Sequence, residues 1–467
     1  MSTLGPVVGY EPGTVDLHPP GLPGACRARI WERSRFEWYS RDGGDPLQLL
    51  TEFAASQGVH LADISASPTV TDAFTCGISV LLAPPSVTPS PAPSVPDLVA
   101  VAYSHGPRRS PEPGTTVAYS SPGTVNVAPA PDADSPDSGR FASSLTWRES
   151  APPLAADSPG VSEISDFSAG SPGGVSAIGP WTPSWTEAEH AAAVDGVRAA
   201  IARGDVYVVN LVGHASAPFG AGPGLGSGSG SGPGPGPALA RVAALPGARY
   251  GGVLRGERWW VASASPETLV AVAGGRAVTR PIKGTRPATA QGRAELLASA
   301  KERAEHVMIV DLERNDLGRV AEVGSVRVDE LFALRRWSGL WQAESTVSAR
   351  LAPGVGLAEL LAAVWPGGSV TGAPKLAAID VATRLEPVGR GPSMGACGWI
   401  GHGAPGPGAP HGRVEVDLGL TIRTVAVADG RAHLWAGGGI VWDSDPAAEV
   451  AEAAAKTAPI KRALRGW

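Results

Sequence analysis

Thiols are few in this chain of 467 residues, and their placement excludes more than their number does. Cys26, Cys76 and Cys397 are odd in number, far apart and without CxxC spacing. Neither a disulfide framework nor a structural zinc site is indicated, and a reducing compartment is expected. Charge is sparse too: Asp, Glu, Lys and Arg make up 18% of the residues, with 38 basic against 44 acidic side chains for a net charge of -6. That balance gives no electrostatic footprint for nucleic acid or for an anionic membrane surface, so an anionic ligand has to be held locally. No apolar run approaches the ~20 residues that span a bilayer. The opening MSTLGPVVGYEPGTVDLHPPG has no basic stretch followed by an apolar core, so a cytoplasmic protein is expected. GxGxxG after a strand and GxxxxGK followed by Ser or Thr are both missing, which removes support for a nucleotide-phosphate cradle.

What is present is ample apolar material, 43% of the residues, enough for one sizeable core or two. The 61 glycines and 45 prolines are concentrated in low-complexity tracts. These are PPSVTPSPAPSVP (84–96), much of 121–176, GPGLGSGSGSGPGPGP (222–237) and GHGAPGPGAPHG (401–412). Such tracts bury too little apolar surface to offset their ordering entropy, so they are expected to be mobile loops or linkers. The reading is an N-terminal part over 1–120, a low-complexity linker or insertion over 121–180, and a patterned domain over 181–467 with surface insertions near 222–237 and 401–412.

From residue 181 the periodicity sharpens. Thr186 with Glu189 is a capping-box signature, and Val194, Val197 and Ile201 follow at helical spacing until Gly204. VYVVNLVGHA, RWWVASAS, RAVTR, GSVRV, RVEVDLGLTIRTVAVA and RAHLWAGGGIVW read as strands. ELLASAKERAEHVMIVDLE, LAELLAAV, GAPKLAAIDVATRLE and PAAEVAEAAAKTAPIKRAL read as helices between them. A mixed α/β fold with large sheets is the consequence.

Several polar residues stand where chemistry is feasible. Glu302 and Glu305, and again Glu449 and Glu452, lie three apart on predicted helices, so each pair shares a face. Two such faces brought together suit Mg2+, which binds through a few carboxylates while keeping positions for water and an anion. Spacing alone leaves open the alternative of solvated faces, with Glu452 and Lys456 as an ordinary i,i+4 pair. Glu267 in SASPETL is placed either as a general acid or as part of a surface turn. Arg423 in TIRTV either binds a carboxylate or pairs across a sheet. GGSVTGAPK, with Thr371 and Gly372, and AGGGIV, with Gly437, Gly438 and Gly439, are either anion cradles or glycine turns. Lys283 in RPIKGTRPA precedes Gly284, where the backbone can turn tightly, and is a presented group.

The joint order SPE, PIKGTRP, AEHVMIVDLERNDLGRV, PGGSVTGAPK, IRT, GGGIVWDSDP and a trailing ExxE resembles the chorismate-utilising enzymes over about 181–467. The resemblance implies an α/β sandwich of two large antiparallel sheets flanked by helices, with the active site between them. It implies Mg2+ held by Glu305 and Glu452 with Glu302 and Glu449 close by, and chorismate contacted by Thr371, Gly372, Arg423, Lys456 and the Gly437–Gly439 amides. Glu267 matches the acid that protonates the departing C4 hydroxyl. Within the family, lysine at 283 is characteristic of the aminodeoxychorismate synthases, where it attacks the ring before ammonia adds, whereas anthranilate synthases read PIAGT. Gln342 stands where anthranilate synthases carry a histidine linked to pyruvate elimination, so retention of the pyruvyl group is expected. Val208 and His402 depart from the pattern, and the N-terminal region lacks a clear match to tryptophan-binding elements. No GxCxG elbow with a downstream His-x-Glu is present, so ammonia is expected from a separate glutamine amidotransferase subunit, for p-aminobenzoate in folate or antibiotic synthesis. The alternatives are an anthranilate synthase, disfavoured by Lys283 and Gln342, an isochorismate or salicylate synthase, disfavoured by the overall nitrogen-transfer pattern, and a non-catalytic scaffold; the scaffold predicts eroded carboxylates, and all four are present.

Overall fold

Strands carry most of the architecture, as the density of β-branched and alternating segments requires. The computed structural model describes residues 30–65, 75–105, 178–219, 235–402 and 414–465. Cys26 and most of the expected linker and insertions lie outside these ranges. In chain order the elements begin β1 (Ile30–Trp38), α1 (Pro46–Ser56), β2 (Thr75–Leu82), β3 (Leu98–His105), β4 (Thr182–Pro183), α2 (Glu187–Ala202), β5 (Val208–Pro218) and α3 (Gly236–Ala243). Next come β6 (Tyr250–Arg255), β7 (Trp259–Ser265), β8 (Thr268–Ala273), β9 (Arg276–Arg280), β10 (Ile282–Pro287), α4 (Ala290–Ala298) and α5 (Ala300–Gly318). The rest are β11 (Arg327–Trp337), β12 (Leu340–Arg350), α6 (Leu357–Val364), β13 (Gly372–Ala373), α7 (Lys375–Leu385), β14 (Ala396–His402), β15 (Val414–Leu420), β16 (Thr424–Ala428), β17 (Arg431–Ile440) and α8 (Pro446–Arg465).

Two antiparallel sheets result. A ten-stranded sheet runs β1, β3, β2, β14, β15, β8, β9, β12, β10, with β11 on the other edge of β12. A seven-stranded sheet runs β13, β5, β17, β16, β7, β6, with β4 also on β5. The strands of residues 30–105 thus extend the larger sheet beyond β14. The main core lies against that sheet, from Leu50 and Ile78 to Val347 and Leu418. A second core joins Val253, Ala262 and Val425 of the smaller sheet to Ile460 and Leu464 of α8. Trp337, contributed by β11 of the larger sheet, is fully buried in this second core and donates its indole N–H to the Ala264 carbonyl at 2.9 Å.

Most expected elements are present, and the departures have local causes. The Thr186 hydroxyl accepts from Glu189 N at 3.2 Å while Glu189 accepts from Thr186 N at 2.7 Å, completing the box that starts α2. The run expected as one helix over 295–313 breaks at Ser299, which ends α4 and caps α5 by accepting from Glu302 N at 3.2 Å. The segment expected as one strand over 413–428 is two strands in two sheets, divided at Arg423, whose φ is 52°. Of GSVRV, expected as a strand, Gly324 turns at φ 78° and only Arg327 and Val328 are strand, opening the longer β11, in which register shifts between Val328 and Ala333 interrupt the alternation. The 84–96 tract is irregular but packed and not free: Ala92 and Val95 are buried, and Pro89 O accepts from Gly389 N at 2.9 Å.

Candidate active site

An open cleft of about 830 Å³ lies where β10, β17, the turn before β16 and the helices α5 and α8 converge. Lys283 enters it from β10, the edge of the larger sheet. The ladder slips by one residue between Lys283, opposite Ala343, and Thr285, opposite Gln342. Gly284 is that slip, at φ 74° and with Leu296 and Glu302 so close that a Cβ would come within 2.7 and 3.0 Å of them. The bulge is what re-aims the neighbouring lysine. Lys283 Nζ donates to the Ser369 carbonyl at 2.9 Å. Burial pushes the ammonium below its ordinary pKa, against the upward pull of Glu305 and Glu267, and Lys456 adds to the depression.

Glu267, expected at a loop edge, is buried in the turn between β7 and β8. Its Oε1 accepts from Ile282 N at 3.3 Å and from the Ser369 hydroxyl, and burial raises its pKa to about 7. Ser369 therefore touches both Lys283 and Glu267. Gln342 is buried on β12 and lines the same cleft.

The two carboxylate pairs are brought together. Glu302 and Glu305 come from α5, and Glu449 and Glu452 come from α8, whose start is fixed by Pro446 and by Asp445 accepting from Ala448 N at 2.8 Å. They are not solvated faces: Glu302, Glu305 and Glu449 are all buried. Among the described residues no ready three-ligand metal cluster of these groups is formed. Instead, cations sit on them. Arg286 pairs with Glu302 at 3.0 Å, Lys456 with Glu452 at 2.8 Å, and Lys301 with Glu449 at 3.3 Å and Glu305 at 3.7 Å. Burial and the neighbouring Glu302 raise Glu305 to about 7, and its Oε1 is buried without a hydrogen-bond partner among the described residues. An orphaned carboxylate oxygen in an all-oxygen donor set fits a hard divalent cation.

The anion-binding side departs from expectation in detail. Arg423 lies in the break between strands, its guanidinium 4.4 Å from the Trp337 ring and donating to Lys456 O at 3.0 Å. Burial lowers its pKa to about 10, which leaves it charged at neutral pH. Gly437, Gly438 and Gly439 are part of β17, paired with Val212, Leu211 and Asn210, and not a loop of free amides. What their missing side chains provide is room. A Cβ on Gly438 would be 2.9 Å from Glu449 Oε2, and one on Gly439 3.0 Å from Lys283 Nζ. Lys456 Nζ donates to Gly437 O at 2.7 Å.

Thr371 and Gly372 are not among the residues lining the cleft; Ser369 and Val370 of the same segment are. The Thr371 hydroxyl is turned back onto Gly367 O at 2.8 Å, and Gly372 pairs with Val209. Val208 is buried opposite Ala373. Ser369 and Lys301 escaped the sequence reading. The signal for Lys301 is its i,i+4 relation to Glu305, the same spacing that joins Glu452 to Lys456.

The family described as chorismate binding enzyme matches residues 167–462. Anthranilate synthase component 1 of Streptomyces coelicolor is 39% identical over 291 residues, covering 61% of this chain and 53% of that protein. Aminodeoxychorismate synthase component 1 of Bacillus subtilis is 35% identical over 295 residues, covering 61% and 57%. The matched stretch thus spans little more than half the length of these curated relatives. The crystal structure of anthranilate synthase component I from Streptococcus pneumoniae shares the fold, with a TM-score of 0.63 at 21% identity over 97% of this chain and 96% of that one. This chain belongs to the chorismate binding enzyme family.

Proposed function

We propose that this chain is an aminodeoxychorismate synthase component, converting chorismate and ammonia to 4-amino-4-deoxychorismate and water. The observation that carries the reading is Lys283, a half-buried lysine whose amine has a depressed pKa, opening into the cleft with its Nζ on the Ser369 carbonyl. Only a neutral amine is a nucleophile, and burial supplies that form at lower pH than in water. Lys283 Nζ bonds to ring C2 as the double bonds shift and the C4–O bond breaks. Glu267, protonated up to about pH 7, gives its proton to the leaving oxygen, which departs as water. Ammonia then bonds to C4 and the C2–N bond breaks, returning Lys283 as an amine. The proton released from the added nitrogen restores Glu267. Gln342 offers no imidazole for pyruvate elimination, so the pyruvyl group stays.

Arg423 and Lys456 provide positive charge for one substrate carboxylate. Glu302, Glu305, Glu449 and Glu452 would hold Mg2+, which when bound supplies positive charge for the other carboxylate. The component 1 designation of the relatives supports a separate amidotransferase subunit as the source of ammonia. The higher identity to an anthranilate synthase favours that activity as the second reading.

The two are separated by product. Purified chain with chorismate, Mg2+ and ammonium at mildly alkaline pH is expected to give a species with the amino group added and pyruvyl retained. Lys283→Ala is expected to lose it except at high ammonia. Anthranilate as product, or indifference to Lys283→Ala, overturns the proposal.

A further inference from the structure

We infer that Lys301 is a resident counter-cation of the carboxylate cluster, occupying the position that a divalent cation has to take and leaving when that cation binds. The inference deepens the proposed function, since it rests on the reading that the four glutamates hold a metal. Its observations are separate from Lys283 and the chemistry. Lys283 also acts on Glu305 by its charge but donates to the Ser369 carbonyl, and of the three cations ion-paired with the cluster two are committed elsewhere. Arg286 also donates to Thr285 O at 2.7 Å, and Lys456 also donates to Gly437 O at 2.7 Å. Lys301 reaches carboxylates of both helices, Glu305 on α5 and Glu449 on α8, and those are its ion pairs among the described residues.

Its fit is that of a placeholder. The 3.7 Å to Glu305 Oε1 is too long for a hydrogen bond, so this buried oxygen is charge-compensated but not coordinated. Glu449 Oε1, by contrast, is already oriented by the Ser444 hydroxyl at 2.7 Å. A divalent cation demands direct oxygen contact, which the ammonium blocks by position and repels by charge. The Lys301 side chain is 37% exposed, so a route into solvent is open, whereas the carboxylates it covers are buried. Without the metal the ammonium bridges α5 to α8 and limits repulsion among the glutamates. With it, the bridge is redundant.

The probe is Mn2+ alone, with no chorismate, titrated into the chain at constant neutral pH and followed by the loss of the free-ion electron paramagnetic resonance signal. Lys301→Met removes the charge at similar length and is expected to bind Mn2+ about 5- to 30-fold more tightly than the unaltered protein. Lys301→Arg keeps the charge and is expected to show no tightening. In EDTA, Lys301→Met is expected to melt below the unaltered protein and to gain more from added Mn2+. Equal or weaker Mn2+ binding by Lys301→Met overturns the inference, as does equal tightening by Lys301→Arg. If neither the unaltered protein nor Lys301→Met binds Mn2+, or if Glu305→Gln binds it unchanged, the metal reading itself falls. Binding by Lys301→Met where the unaltered protein shows none supports the inference.

Discussion

Replacing Arg390 with methionine tests how the cleft floor is held. The guanidinium pairs with Glu386 through two contacts, Nε to Oε2 at 2.9 Å and Nη2 to Oε1 at 2.6 Å. It also donates to Val370 O at 2.6 Å and Asn210 O at 2.8 Å, and both of those residues line the cleft. The side chains are 12% and 6% exposed, so the pair is shielded from water. Glu386 Oε1 further accepts from Val212 N at 3.0 Å. Arg390→Met therefore leaves a buried carboxylate with a single donor and two carbonyls without theirs. Removing one partner of such a pair costs ~3–5 kcal/mol. At an m-value of ~3 kcal/mol/M, the urea midpoint should fall by on the order of 1 M. Because the Gly367–Thr371 segment that carries Ser369 is tied through Val370, turnover should drop at least ~10-fold in the fraction still folded. Adding Glu386→Leu removes the stranded charge, so the double variant should be more stable than Arg390→Met alone. A midpoint shift equivalent to under ~1 kcal/mol, or a double variant no better than the single, refutes the reasoning.

Three further outcomes follow from geometry and burial. Gly437→Ala places a Cβ 1.8 Å from Leu211 O and should unseat β17 from β5, lowering the melting temperature. Gly439→Ala meets instead the flexible tip of Lys283 at 3.0 Å, so it should cost activity with little change in melting. Glu313 is buried with a pKa raised from 4.5 to about 8, first by burial and then by Asp316, against Lys375. The folded state keeps a proton that the unfolded chain has lost, so this group's contribution is full below about pH 4.5 and falls as pH rises towards about 8. Between pH 6 and 9 the unaltered protein should lose roughly 2–3 kcal/mol more stability than Glu313→Gln, measured by urea melts at both pH values. Parallel pH dependence in the two proteins would show that Glu313 is ionised when folded.

How far the sequence foretold this arrangement depended on the kind of signal each element carries. The Thr186 capping box, β7 and α8 are local patterns, and they were legible as such. The break at Arg423 was not, because Val, Leu, Ile and Thr on either side sustain strand character and nothing in a period-two pattern records a change of sheet. An arginine at positive φ has no residue signature either. Ser299 ends one helix and starts another with a single side chain, inside a run whose propensities are otherwise helical. For the site, ExxE spacing gave two faces but not their meeting, since α5 and α8 are separated by more than a hundred residues. The ordered motifs supplied that link. Thr371 and Gly372 were drawn to the cleft by their motif, but the segment's turn presents Ser369 and faces the threonine hydroxyl inward.

Arg423 sits where the chain leaves the larger sheet through β15 and enters the smaller one through β16. Lys283 belongs to the first sheet and Gly437–Gly439 to the second, so the cleft is a seam between two halves of the fold. A ligand that engages Lys283 and Arg423 together becomes a keystone, closing the seam from within. Its binding free energy then counts toward cohesion of the whole structure, on the scale of ~2.7 kcal/mol at a hundred times its Kd. Opening the seam and releasing the ligand become one event.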